Sequence, residues 1–281
     1  MGKSDKVLFH YTSLEGLLGI IEKKSIWATN ILYLNDTTEL NYAMSLLEEQ
    51  LQHFIRKGIT HNEWFFRTLL EDIRHSISST EFPFYVCSFS EEKDILSQWR
   101  GYSSKGIGFS LGFKLSYLIT NENNKTSMVK PCIYDEQEQI TVINKLIEKA
   151  SSTFTHDNKR PQSQYEMILS KPEMEFFTEF MALAPTFKHP KFREEKEWRI
   201  IYRAYHSDKN VKIEFRAGRS MIVPYIAIPL TREGDDLIIN KVIVGPTLEP
   251  NLSKASVEML LESKNVKFEE VECSIIPYRH W

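Results

Sequence analysis

Segments with the two-residue alternation of strands stand at both ends of this 281-residue chain, and its longest helical block lies between them. At the start, Val7 to Thr12 places Val7, Phe9 and Tyr11 on one face and Leu8, His10 and Thr12 on the other. At the end, strands near 211–216, 221–229, 238–245 and 268–277 bracket a helix from Leu252 to Ser263. Residues 136–184 read as mostly helical, broken around 156–164. That order argues against a doubly wound parallel sheet. It predicts an α+β fold with a mixed or antiparallel sheet core and peripheral helices. No repeat, low-complexity tract or Pro/Gly linker divides the chain, so one domain over 1–281 is expected, with 136–184 as a mainly helical insertion.

The intervening elements follow from capping and periodicity. Thr12 and Glu15 have the spacing of a capping box, ahead of an apolar stripe of Leu14, Leu17, Leu18 and Ile21. Ser25 to Ile31 reads as a strand. Asn35 or Asp36 then caps a helix whose buried face carries Leu40, Ala43, Met44, Leu47 and Leu51. A further helix is expected from about Asn62 to Ile77. Residues 82–90 form a buried strand, after which Ser90 caps a short helix with Glu91 and Glu92 in its first turn and Trp99 and Arg100 at its end. Gly106 to Phe113 and Ser127 to Tyr134 are strands.

Composition removes several classes. Cys87, Cys132 and Cys273 are well separated and form no C-x-x-C pair, which argues against a disulfide framework or structural zinc and fits a reducing cytoplasm. No run of about 18 apolar residues appears, so a soluble cytoplasmic protein is expected. P-loop, H-E-x-x-H and G-x-S-x-G signatures are absent, and Gly106 and Gly108 make only a lone G-x-G. The eight histidines are scattered, and no metal is expected. A formal net charge of −3 leaves any nucleic-acid role to local patches.

The densest chemistry lies from Phe187 to Arg203. Seven cationic or imidazole side chains alternate there with Phe187, Phe192, Trp198 and Tyr202 and with two nearby carboxylates, Glu195 and Glu197. As a strand, Lys196 to Arg203 places Trp198, Ile200 and Tyr202 on one face and Glu197, Arg199, Ile201 and Arg203 on the other. The second face is either the floor of an anionic ligand that reacts at a cationic centre or a partly exposed ion pair of little energetic weight. Other polar residues gather at strand ends and helix starts: His10, Thr12, Asn35, Asp36, Glu39, Ser88, Ser90, and the S-x-W-R-x-Y of Ser97, Trp99, Arg100 and Tyr102. Taken singly, Thr12, Asp36 and Ser90 read as caps, Trp99 as core and His10 as a half-buried hydrogen-bonding residue.

Together these segments resemble a bacterial family catalogued as domain of unknown function 2971. The resemblance rests on Phe9-His10-Tyr11-Thr12-Ser13, Trp27-Ala28-Thr29, Leu34-Asn35-Asp36 with Glu39, and Ser88-Phe89-Ser90. It continues through Trp99-Arg100-Gly101-Tyr102 and through Phe187-Lys188-His189 with Phe192, Glu195, Glu197, Trp198 and Arg199. More distantly, the opening strand–His–helix and the late strand-heading carboxylate are similar to nucleic-acid-modifying members of the ADP-ribosyltransferase superfamily.

That similarity implies an enzyme using NAD as substrate, a toxin or phage-defence effector that modifies nucleic acid or protein. It implies that His10 holds the nicotinamide ribose, that Ser88 and Ser90 support the ring and that Glu197 stabilises the ribosyl cation. Glu195 with Glu197 echoes an E-x-E pair. Thr12, Trp99, Arg100, Tyr102 and Arg199 complete the expected NAD site, with arginines for the pyrophosphate and an aromatic neighbour for the nicotinamide. On this reading His10, Ser88, Arg100 and Glu197 line one cleft. The alternative is a nucleic-acid-binding or -processing effector without NAD chemistry, in which 187–203 is an electrostatic and stacking platform.

Overall fold

The computed structural model describes residues 5–34, 38–57, 66–67, 70–71, 74–75, 83–102, 107–120, 127–153, 171–205, 211–218, 220–231 and 234–278. Among these residues ten strands form one sheet: β1 (Val7–Ser13), β2 (Ser25–Asn30), β3 (Phe84–Ser90), β4 (Gly108–Lys114), β5 (Ser127–Pro131), β6 (Glu197–Arg203), β7 (Ile213–Ala217), β8 (Ile222–Pro229), β9 (Ile238–Val244) and β10 (Lys267–Cys273). All pairs are antiparallel except β9 with β10. The α+β expectation with a largely antiparallel core therefore holds, and the strands expected near 7–12, 82–90, 106–113, 196–203 and 238–245 share this sheet.

The sheet splits along β3. One edge of β3 pairs with β6 from Phe84↔Arg203 to Ser90↔Glu197. On the other edge, β2 pairs only at Tyr85 and Val86, and β1 only at Ser90. Cys87, Ser88 and Phe89 thus face a gap between β1 and β2, which leaves backbone groups that need other partners.

Alternation divides the core between the two faces. Leu8, Tyr85, Cys87, Phe89, Ile200 and Tyr202 pack with helices α1 (Leu14–Lys23) and, further C-terminal in the chain, Pro250–Ser263. Phe84, Val86 and Ile201 on the opposite face pack beneath α2 (Thr38–Arg56) and beneath Glu136–Thr153 and Lys171–Leu183. Numbered in chain order, further helices whose bounds lie in the described residues are α3 (Leu96–Tyr102), α4 (Leu115–Thr120), α5 (Glu136–Thr153), α6 (Lys171–Leu183) and α7 (Pro250–Ser263). Phe9 and Tyr11 pack with Trp99 of α3 and with Ile243.

The stripe expected on α2 is buried as read, and the two faces of β6 separate as expected. Three readings need correction. Helix α1 is capped by Ser13, whose Oγ accepts from the Gly16 amide at 3.2 Å, rather than by Thr12. Its buried residues are Leu17, Ile20 and Ile21, whereas Leu14 and Leu18 are exposed. No helix follows Ser90 at once: its Oγ donates to the Glu195 carbonyl and accepts from the Glu92 amide, a turn that delays α3 until Leu96. Asn35 and Asp36 lie outside the described residues, as do most of 62–77 and the break at 156–164. Among the described residues no helix is long and apolar enough to cross a membrane.

Candidate active site

The segment before β6 is built to turn a lysine inward. Phe187 is fully buried, and the Lys188 amide donates to the Ile133 carbonyl at 3.2 Å. The Lys188 carbonyl accepts from Gln139 Nε2 at 3.0 Å, while Gln139 Oε1 accepts from the Tyr42 hydroxyl at 2.8 Å. His189 then caps the 3-10 turn Pro190–Glu195, and Lys196 takes a left-handed conformation (φ 41°) that redirects the chain into β6.

Lys188 Nζ reaches Glu195 Oε2 at 2.7 Å, Glu39 Oε1 at 3.3 Å and the Glu197 carboxylate. Arg199 completes the cluster. Its Nε donates to Glu197 Oε1 at 2.7 Å, Nη1 to the Pro185 carbonyl at 2.6 Å, and Nη2 to Glu39 Oε2 at 2.5 Å and Glu197 Oε2 at 3.1 Å. Glu197 is also fixed through its backbone, which donates to the Tyr134 oxygen and accepts from the Cys132 amide, both at 2.8 Å. Glu39, Lys188, Glu197 and Arg199 are all buried.

Three carboxylates thus meet two cations, and their environments separate their acidities. Burial alone would raise the Glu197 carboxyl, but Arg199 and then Lys188 pull it down to about 2. Burial raises Glu195 above the ordinary carboxylate range, and its neighbour Lys188 only partly offsets this. Burial lowers Lys188, yet Glu197 and Glu39 outweigh it and hold the ammonium charged. One carboxylate fixed as an anion beside another that takes up a proton more readily is an arrangement that assigns acid–base roles.

Glu195 and Glu197 open on a cavity of about 150 Å³ that is also lined by Ser88, Ser90, Gln98 and Tyr102, with Phe9 and Tyr11 beneath. Tyr102 is 42% exposed, yet its hydroxyl is pushed up to about 12, first by burial and then by Glu197. It lines the cavity while staying partly open to solvent, which puts it at the mouth.

Of the residues expected to form an NAD site, Glu197, Glu195, Ser88, Ser90, Tyr102 and Arg199 come together here. Four do not. His10 shares a strand face with Leu8, so its ring lies on the other side of the sheet, where Nδ1 sits 2.9 Å from the Ser88 carbonyl and fills the gap between β1 and β2. Burial lowers its pKa, which leaves it neutral at physiological pH. Thr12 is on that face too, and its Oγ1 lies 1.9 Å from where a Cβ on Gly16 would stand, so it seats α1. Trp99 is core: its ring meets Tyr11 edge-on at 4.9 Å, and Nε1 donates to Asp94 at 2.6 Å. Arg100 is exposed, and its guanidinium stands 5.9 Å from the Tyr278 ring. The expected cleft of His10, Ser88, Arg100 and Glu197 thus reduces to Ser88 and Glu197, because strand alternation and helix phase carry the other two away.

Lys188, Glu39 and Gln98 join the site without having been assigned to it from sequence. Glu39 left a signal, since it falls one turn before Ala43 on the apolar stripe of α2, where an unpaired carboxylate is costly.

Residues 98–200 match the model of a protein family of unknown function, DUF2971. The match takes in α3 from Gln98 to Tyr102 and the segment carrying Lys188, Glu195, Glu197 and Arg199. No curated protein and no solved structure matches the chain.

The depressed Glu197 acidity predicts acid sensitivity. Unfolded, this carboxyl takes up its proton near 4.5, whereas the folded cluster holds it ionised to about 2. Between those values the unfolded state binds more protons, so stability falls as the pH falls. A contribution on the order of 3 kcal/mol, present above pH 5–6, should be lost towards pH 2. Thermal melts across that range should show a steeper decline for the wild-type chain than for Glu197→Gln.

Proposed function

We propose that this chain is an ADP-ribosyltransferase-like enzyme that cleaves the bond between nicotinamide and ribose in NAD and transfers the ADP-ribosyl group to a nucleic acid or protein. A cytoplasmic toxin or phage-defence role would follow from that activity. The observation that carries the reading is the buried cluster with one more carboxylate than cation, whose Glu195 and Glu197 face a cavity. When the C–N bond breaks, its electron pair passes to the nicotinamide nitrogen and positive charge develops on the ribose. A fixed anion in a water-poor site stabilises that charge without reorganising. An acceptor lone pair then closes on the ribose carbon, and Glu195 takes the acceptor proton.

The fit to NAD is partial. About 150 Å³ is below the roughly 300 Å³ at which pockets begin to enclose drug-sized ligands, so only the nicotinamide end would sit inside. Tyr102 at the mouth supports the role of aromatic neighbour in place of Trp99. Arg199 is fully committed to Glu197, Glu39 and Pro185, so it is not a pyrophosphate donor. Incubation of the chain with NAD should release free nicotinamide, read by chromatography. Absence of release, with nucleic-acid and protein acceptors both supplied, would overturn the proposal. As an electrostatic platform the 187–203 segment is weakened, because Lys188 and Arg199 are buried in ion pairs and Lys196 pairs with Glu92.

A further inference from the structure

A second cluster lies at the other end of the sheet, where β2, β8 and β7 are neighbours. The register Trp27↔Ala227, Thr29↔Tyr225, Tyr225↔Glu214 and Val223↔Arg216 puts Trp27, Thr29, Tyr225, Glu214 and Arg216 on one face. The Trp27 and Tyr225 rings lie 4.5 Å apart, tilted by 35°, and Trp27 is 43% exposed. The Arg216 guanidinium stands 5.7 Å from the Trp27 ring, and its Nη2 donates to Thr29 Oγ1 at 3.1 Å. Its Nε is shielded from solvent and has no acceptor, and among the described residues no carboxylate pairs with Arg216. Glu214, opposite Tyr225 on β7, accepts from the Tyr225 hydroxyl and pairs with Lys212. The patch therefore carries a positive charge with no carboxylate partner among the described residues, beside an exposed indole backed by the buried Tyr225 ring, and β7 ends the run of paired strands on this side.

We propose that this face binds single-stranded nucleic acid, with a base stacked on the exposed Trp27, whose ring the buried Tyr225 backs, and a backbone phosphate on Arg216. A guanidinium with no carboxylate partner among the described residues favours an anionic ligand by its charge, and a phosphate can take bidentate hydrogen bonds from it. The openness of the patch selects a polymer. A free mononucleotide gains affinity by being enclosed, whereas a strand adds stacking and phosphate contacts over several nucleotides. This binding goes beyond the proposed transfer chemistry and does not depend on it.

The test is fluorescence anisotropy of a labelled 12-nucleotide single strand of mixed sequence, titrated with the full chain over a series of salt concentrations. Binding should weaken steeply with salt. Trp27→Ala should weaken it about 10-fold or more, and Trp27→Phe should retain most of it. Arg216→Gln, at a half-buried position that does not threaten the fold, should weaken binding and make the salt slope shallower by about one. Absence of binding at low salt, binding by both Trp27→Ala and Arg216→Gln equal to wild type, or adenosine monophosphate binding as tightly as the strand would each overturn the proposal. Strand binding is read with no NAD present and through substitutions at Trp27 and Arg216, which lie outside the candidate active site, so failure of one reading is distinguishable from failure of the other.

Discussion

Glu197→Gln should release nicotinamide from NAD at least about 100-fold more slowly than the wild-type chain, the scale of losing one preorganised electrostatic partner. The amide keeps the volume and one accepting oxygen but removes the charge that would face a developing ribosyl cation. The variant should also be less stable, contrary to what a partly exposed ion pair would give. Glu197 is buried, and its two oxygens accept from Lys188 and from both Nε and Nη2 of Arg199. An amide nitrogen in place of either oxygen points a donor at a donor. Rates must therefore be compared well below both melting temperatures and per folded molecule. Glu195→Gln separates the two effects, because Glu195 is more exposed and, among the described residues, its carboxylate bonds Lys188 alone. It should melt closer to wild type, and it should abolish the limb of the transfer rate that rises with pH as Glu195 loses its proton. Equal nicotinamide release from wild type and Glu197→Gln would remove Glu197 from the mechanism.

What could be read from the sequence divides along physical lines. Period-two alternation placed Glu197 and Arg199 on one face of β6 and Trp198 and Ile200 on the other, because side-chain direction in a strand is a local property. The same rule, applied to β1, already separates His10 from Phe9 and Tyr11. Which of those faces meets the carboxylates depends on the pairing of β1 with β4 and on its single contact with β3 at Ser90, which no local pattern encodes. Trp99 and Arg100 are adjacent on one turn of α3, so packing one into the core turns the other outward. The ion cluster was least legible. Lys188 lies in a run of cations where a solvated face is the ordinary reading, and its partner Glu39 is 149 residues away. Only the excess of charge on buried stripes hinted at their meeting.

Arg199→Met should cost about 3–5 kcal/mol, the range for removing one member of a buried charge pair. Arg199 is 2% exposed and serves Glu197, Glu39 and the Pro185 carbonyl at once. Without it three carboxylates would share the single ammonium of Lys188, and the Pro185 carbonyl would lose its donor. At roughly 2–4 °C per kcal/mol for chains approaching this size, the melting temperature should fall on the order of 10 °C. Arg199→Lys should recover only part of the loss, because one ammonium on a flexible stem cannot span the three acceptors that the planar guanidinium holds together. Arg199→Met combined with Glu39→Gln should melt above Arg199→Met alone, since the second change removes a carboxylate the first left unpaired; the two effects should not add. Denaturant melts of the three variants at pH 7 give the comparison. An Arg199→Met chain that unfolds with the wild type would mean that the cluster does not hold β6, α2 and the Pro185 turn together as the geometry requires.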